Sequence, residues 1–301
     1  MPMRATTALL LLSLLAPAAY GVSWSQAEYA GTLTDPDLDE VSGLAASRAH
    51  PGLYWAVNDS GNPARLVLLK PDGTRVASYS TVGAENTDWE DIDSFELDGK
   101  RYLLVADTGD NGGIRTDLSL LVFEEPRTIK DGGEMPLAWK IEFRWPDGAR
   151  DCEASAVDPV NGDVLLISKK RVPPELFRLP LRPSTGVQVA EKIATLPGIA
   201  QPSEQELEKN PVYGRYRSQI SGADLSPNGR VLAVMNYHSI YFYIRAPGQS
   251  WPAATQRPPS QLRFPWLPQA EAIAFSTDGS TLLIGSEQRP TPLLRFRVVS
   301  K

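Results

Sequence analysis

Five polar residues recur at one place in a repeated pattern: Ser42, Glu90, Glu153, Ser221 and Glu271. Each opens an apolar run that leads through a turn to a second apolar run with polar residues at its end. Three carboxylates converging on one point repel, and every ionised neighbour raises the pKa of the others. A cation removes that repulsion. Calcium takes about six to eight oxygen ligands in flexible geometry, which glutamates, serine hydroxyls and water can supply. Zinc and copper call for histidine or cysteine, and the chain has only His50, His238 and Cys152. Ser42, Glu90, Glu153, Ser221 and Glu271 are therefore the expected metal ligands, and Ca2+ the expected ion.

The ends of the second runs supply further chemistry: Asn58-Asp59, Asp107, Lys169, Asn236 and Ser286-Glu287. Asp110 and Asn111 follow Asp107, Lys170 and Arg171 follow Lys169, and Arg289 adds another cation. Acids around a metal, faced by lysine and arginine, suit a phosphorylated substrate: metal and cations hold oxygens while an acid positions water. Asp59 and Asp107 are the candidate bases, and Lys169 completes the catalytic set. Asn58, Asp110, Asn111, Lys170, Arg171, Asn236, Glu287 and Arg289 are the candidate substrate contacts. The competing reading has Lys169 in an ion pair with Asp107 or Asp59, balancing charge only. A Gly-x-Ser-x-Gly elbow, a His-Glu-x-x-His pair and a phosphate-binding glycine loop are all absent from the sequence.

The repeats that carry these residues each turn at a glycine: His50-Pro51-Gly52, Asp98-Gly99, Asn161-Gly162, Asn228-Gly229 and Asp278-Gly279. Asn-Gly and Asp-Gly between apolar runs signal hairpins, because both residues tolerate positive φ. The repeat starts lie 48, 63, 68 and 50 residues apart. Such periods in an all-β pattern predict a five-bladed β-propeller, one four-stranded blade per repeat. The last repeat has only three strands of its own. Residues 29–35 are expected to complete it beside 293–299, which closes the ring without an open edge. An insertion at 201–217 is expected over the same mouth, with Ser203-Glu204-Gln205-Glu206 capping a short helix.

The order Ser, Glu, Glu, Ser, Glu at successive blade starts resembles the calcium-activated nucleotidases (apyrases). Trp89-Glu90 is similar to that family's Glu-Trp-Ala segment, and Cys152-Glu153-Ala154-Ser155 to its Glu-Ser-Ala. The resemblance implies a five-bladed propeller with one central calcium and action on nucleotides. Asn58-Asp59-Ser60-Gly61, Asp88-Trp89-Glu90-Asp91-Ile92 and Gly109-Asp110-Asn111 also resemble a bacterial group of secreted propellers labelled phytase-like or esterase-like. The expected activity is calcium-dependent hydrolysis of phosphoester or nucleotide-like substrates. The alternative is a non-catalytic propeller with structural calcium that binds a ligand or a protein partner.

At the amino end, Met1 to Arg4 and the apolar Ala8 to Ala16 read as a signal peptide over 1–21, with cleavage as late as residue 27. Residues 28–301 then form a single domain, periplasmic or secreted. No apolar run approaches the roughly 20 residues of a membrane span. The net charge of −6 disfavours a nucleic-acid duplex, leaving a small anionic substrate and a monomer as the expectation. Cys152, the one cysteine, is expected in the core.

Overall fold

Strands dominate the architecture. A computed structural model describes residues 23–299, and its helical segments are short: Glu204–Lys209, Gly214–Ser218 and Trp251–Ala254. The expected signal peptide, 1–21, lies outside the described residues. The strands form five successive antiparallel units. Unit one is Val41–Ala46, Tyr54–Asn58, Arg65–Leu69 and Arg75–Val82. Unit two is Trp89–Leu97, Lys100–Asp107, Leu118–Glu124 and Gly133–Arg144. Unit three is Ala154–Asp158, Asp163–Ile167, Glu175–Pro180 and Glu191–Thr195. Unit four is Ile220–Leu225, Val231–Asn236, Ser239–Ile244 and Ser260–Arg263. Unit five is Ala270–Phe275, Thr281–Ser286 and Thr291–Val299. Units one and two share one nine-stranded sheet, because Tyr79–Val82 pairs in parallel with Gly133–Pro136.

Glu28–Leu33 pairs antiparallel with Thr291–Arg295 and gives unit five its outer strand. Ser23–Trp24 extends the pairing to Val298–Val299. Trp24 stacks on Phe242 at 5.5 Å between centroids. The folded part therefore begins before residue 28, the boundary expected from sequence.

Apolar alternation explains why the units stack. Leu103 and Val105 enter a core shared with unit one, while Leu104 and Ala106 enter a core shared with unit three. A strand covered on both faces reads as a continuous apolar run. The same division gives cores between units three and four, four and five, and five and one. The first strands of successive units lie side by side, and that of unit five contacts that of unit one. Cys152 lies fully buried in the core between units two and three.

Side chains join these first strands where backbone pairing does not. Ser42 Oγ donates to the Trp89 carbonyl at 2.8 Å, and Ser221 Oγ to that of Ala270 at 2.6 Å. A Cβ on Gly222 would lie 2.3 Å from the Glu271 carbonyl oxygen, so this close approach requires glycine. Deeper in the stack, Asp91 accepts from the Ser155 N–H at 2.8 Å and Asp224 from that of Phe275 at 2.7 Å. Asp93 accepts from Ser155 Oγ at 2.5 Å. Each such bond contributes about 0.5–1.5 kcal/mol net.

Candidate acidic metal centre

The repeated polar residues gain their positions from β-bulges. In unit one the pairing jumps from Val41 to Gly43, leaving Ser42 as the extra residue. The same jump leaves out Glu90, Ser221 and Glu271 in units two, four and five. Glu153 stands just before the first strand of unit three. A bulge redirects one side chain without breaking the sheet. Here it turns the polar residue at the same point of units one, two, four and five.

The bulge also resets the register at the end of the second strand. The backbone N–H groups of Asp59, Thr108, Lys169 and Glu287 donate to the carbonyls of Glu40, Asp88, Asp151 and Gln269 at 2.8–3.2 Å. Those acceptors stand two residues before Ser42, Glu90, Glu153 and Glu271. In unit four, Ile220 pairs with Asn236, which makes Tyr237 the counterpart. Sequence spacing aligns Asp107 and Asn236 with Asp59 and Lys169. The structure instead sets Thr108 and Tyr237 at those positions, because a one-residue slip turns a strand side chain to the other face.

Two carboxylate sets result, sharing Glu90. Asp59, Asp88 and Glu90 form the first; Glu90, Asp151 and Glu153 form the second. In each set one ligand oxygen per residue lies within 4.8 Å of the others. These acidic groups, half-buried at Asp59 and Asp88 and buried at the other three, can hold a metal ion. Glu90 is 4% exposed, and among the described residues no hydrogen bond reaches its carboxylate. Burial pushes its pKa well up, helped by Asp59 and Glu271 and opposed by Lys169. Gly109 lies flat against the first set. A Cβ there would sit 2.1 Å from Glu90 Oε1 and 2.5 Å from Asp88 Oδ2.

The sets differ in counter-charge. Among the described residues no lysine or arginine ion-pairs with Asp59, Asp88 or Glu90. Burial and the neighbouring Asp88 raise the pKa of Asp59 to about 6. In the second set, Lys169 Nζ pairs with Glu153 Oε1, and Lys170 Nζ lies 2.7 Å from Asp151 Oδ2. Glu153 Oε2 is buried without any partner, and Asp151 Oδ2 meets Lys170 outside hydrogen-bond geometry. Lys169 thus bonds to Glu153, where sequence reasoning weighs Asp107 or Asp59.

Glu271 accepts from the Tyr237 hydroxyl at 2.8 Å, and burial with Glu287 raises its pKa to about 8. Glu287 rises to about 7, through burial first and then Asp59 and Glu40. Asp107 accepts from Arg115 at 2.8 Å and from the Asp88 N–H at 3.2 Å. Asp110 accepts from the N–H groups of Ile114 and Arg115 and so shapes its own loop. Asn236 accepts from the N–H groups of His238 and Ser239. Asn58 donates to the Asp37 carbonyl at 2.9 Å, and Arg289 pairs with Asp39 at 2.5 Å.

Asp110, Asn111, Lys170 and Arg171 come together around a cavity of about 290 Å³ that also touches Asp151. The insertion forms its helix with Ser203 and Glu206 in a reciprocal cap. Arg217 anchors it at 3.3 Å from Glu206 and 2.9 Å from His238 Nδ1, beside the Asn236 turn.

Sequence reasoning missed Asp88, Asp151 and Tyr237. The first two had a signal: an acid stands two residues before Ser42, Glu90 and Glu153 alike. No protein-family model matches the chain, and no curated protein sequence matches it.

Proposed function

We propose that this chain is a five-bladed β-propeller that binds calcium at one mouth of its axis and hydrolyses a small phosphoester or nucleotide-like anion. The cyclic order of first strands and the five inter-unit cores support the ring. One observation carries the ion: the buried Glu90 carboxylate, free of hydrogen bonds, beside Asp59 and Asp88 in an all-oxygen set. Glu90, Asp59 and Asp88 would hold the ion, with Gly109 keeping the hollow open. Hard oxygen donors without histidine or sulfur suit calcium. Bound there, calcium supplies Lewis-acid polarisation of a phosphoryl oxygen.

The chain's own residues supply the rest. Lys170 and Arg171, at the edge of the adjoining cavity, bind the anionic group, and Asn111 positions Lys170 at 3.1 Å. Asp59, which holds the ion through one oxygen, also orients the attacking water beside it. Asp107 acts on Arg115, holding the 110–115 loop. A leader removed after Gly21 delivers the protein to the periplasm or beyond. Cleavage after Ala27 would discard Trp24, which packs on Phe242.

The second reading, a structural calcium without turnover, has its own support. Lys169 and Asp107 are both satisfied inside the protein. A calcium-supplemented screen of phosphoesters, carboxyl esters and lactones separates the two. Hydrolysis abolished by chelation and by Glu90→Gln, and slowed in kcat by Asp59→Asn, is the expected result. Stabilisation by calcium with no turnover on any substrate leaves the binding propeller.

A further inference from the structure

The second carboxylate set shares Glu90 with the first yet differs in what fills it. Glu90, Asp151 and Glu153 are all buried. Lys169 is buried too, at 8% exposure, with its ammonium on Glu153. Lys170 reaches Asp151 from the solvent side, with its side chain 39% exposed. An ammonium carries one charge and three donors. Glu153 Oε2 is left without a partner, and Asp151 Oδ2 has only its ion pair with Lys170; both oxygens can still ligate a metal ion.

We propose that Lys169 is the resident cation of a latent second metal site, standing where a further divalent ion would bind to Glu90, Asp151 and Glu153. The inference builds on the calcium reading of the first set. Charge explains the choice. Three carboxylates faced by Lys169 and Lys170 leave one negative charge, and that charge belongs to Glu90, which the calcium of the first set shares. Without Lys169 the set keeps two uncompensated negative charges in a buried place. A divalent cation balances them, and the orphaned oxygens become its ligands.

Phosphoester sites often flank the reacting group with two metals. Here one ion and one ammonium stand on either side of Glu90. Lys169 is then a positioning charge that fixes the metal count, and its mobility is limited by burial.

Metal analysis after equilibrium dialysis against calcium tests this in wild type, Lys169→Met, Lys169→Arg and Lys169→Met with Asp151→Asn. Lys169→Met is expected to retain about one calcium more than wild type. Lys169→Arg keeps the wild-type count, and Asp151→Asn removes the added ion. The readout is a difference, so it stands even if wild type binds no calcium, a result that would remove only the reading of the first set. An equal count in wild type and Lys169→Met overturns the proposal. Should Lys169→Met fail to fold in chelator, recovery in calcium supports the proposal, and failure in calcium overturns it.

Discussion

Two groups of buried acids occupy the same first strands and behave in opposite ways. Asp91, Asp93 and Asp224, deep in the stack, accept hydrogen bonds from backbone N–H groups or a serine hydroxyl of the neighbouring unit. Glu90 accepts no hydrogen bond among the described residues, and Glu153 Oε2 is buried without a partner. Burial raises carboxyl pKa values in both places, so the shift alone does not tell them apart. Hydrogen bonding does. An acid whose acceptors are filled by backbone is a clasp between strands; one left open beside others is prepared for a cation.

The largest expected effect lies with the clasps. Asp91→Ala strands the N–H groups of Ile92 and Ser155, each costing about 1–3 kcal/mol when buried unpaired. Denaturant melts should show a loss of about 4 kcal/mol by that accounting, the same in calcium and in chelator. A loss that calcium repairs would erase the distinction.

Calcium itself comes next. At a hundredfold excess over its dissociation constant it should stabilise wild type by about 2.7 kcal/mol. For a domain of this size that raises Tm by roughly 5–10 °C. Glu90→Gln should abolish the response, and in chelator should melt no lower than wild type, since it removes one repelling charge. A Glu90→Gln melt well below wild type in chelator would make Glu90 a clasp as well.

Gly109→Ala should weaken calcium binding and cost about 1–3 kcal/mol through overpacking against Glu90 and Asp88. Isothermal titration reads the first effect and thermal melting the second. Unchanged affinity would mean the hollow at Gly109 has no part in the site.

The same contrast can be read group by group through pH. Glu271, Glu287 and Asp59 have folded pKa values of about 8, 7 and 6, above those of the unfolded chain. The native state therefore binds more protons in this window, and stability falls as pH rises from about 5 to 8. Each proton the native state holds in excess contributes about 1.4 kcal/mol per pH unit in chelator, and these groups act together. Saturating calcium should remove the share owed to the mouth. The remainder belongs to Asp224, about 8, and Asp93, about 6.

Much of this was legible in the sequence because it repeats. The turn glycines and the polar residue at each unit start mark the strands, and the capping box at Ser203 and Glu206 marks its helix. What eluded sequence reasoning was register. A bulge adds one residue in the first strands of units one, two, four and five, and nothing in a single sequence counts it, so Asp107 stood in for Thr108 and Asn236 for Tyr237. Asp91 and Asp93 stand at alternate positions of one strand, which by itself does not say what they accept. Their acceptor role appears only once the strand of unit three lies beside them.

The pairing of Glu28 with Arg295, across 267 residues, has a consequence for how the chain matures. The outer strand of unit five is made before units one to four, and its partner only after them. Joining such distant segments comes late in folding, since the entropy of closing a long loop must be met before distant contacts reward it. Units one to four can stack as they emerge, but the fifth stays unfinished until all four have been made. The edge of unit five therefore waits, unpaired, for a strand that lies four units away along the chain.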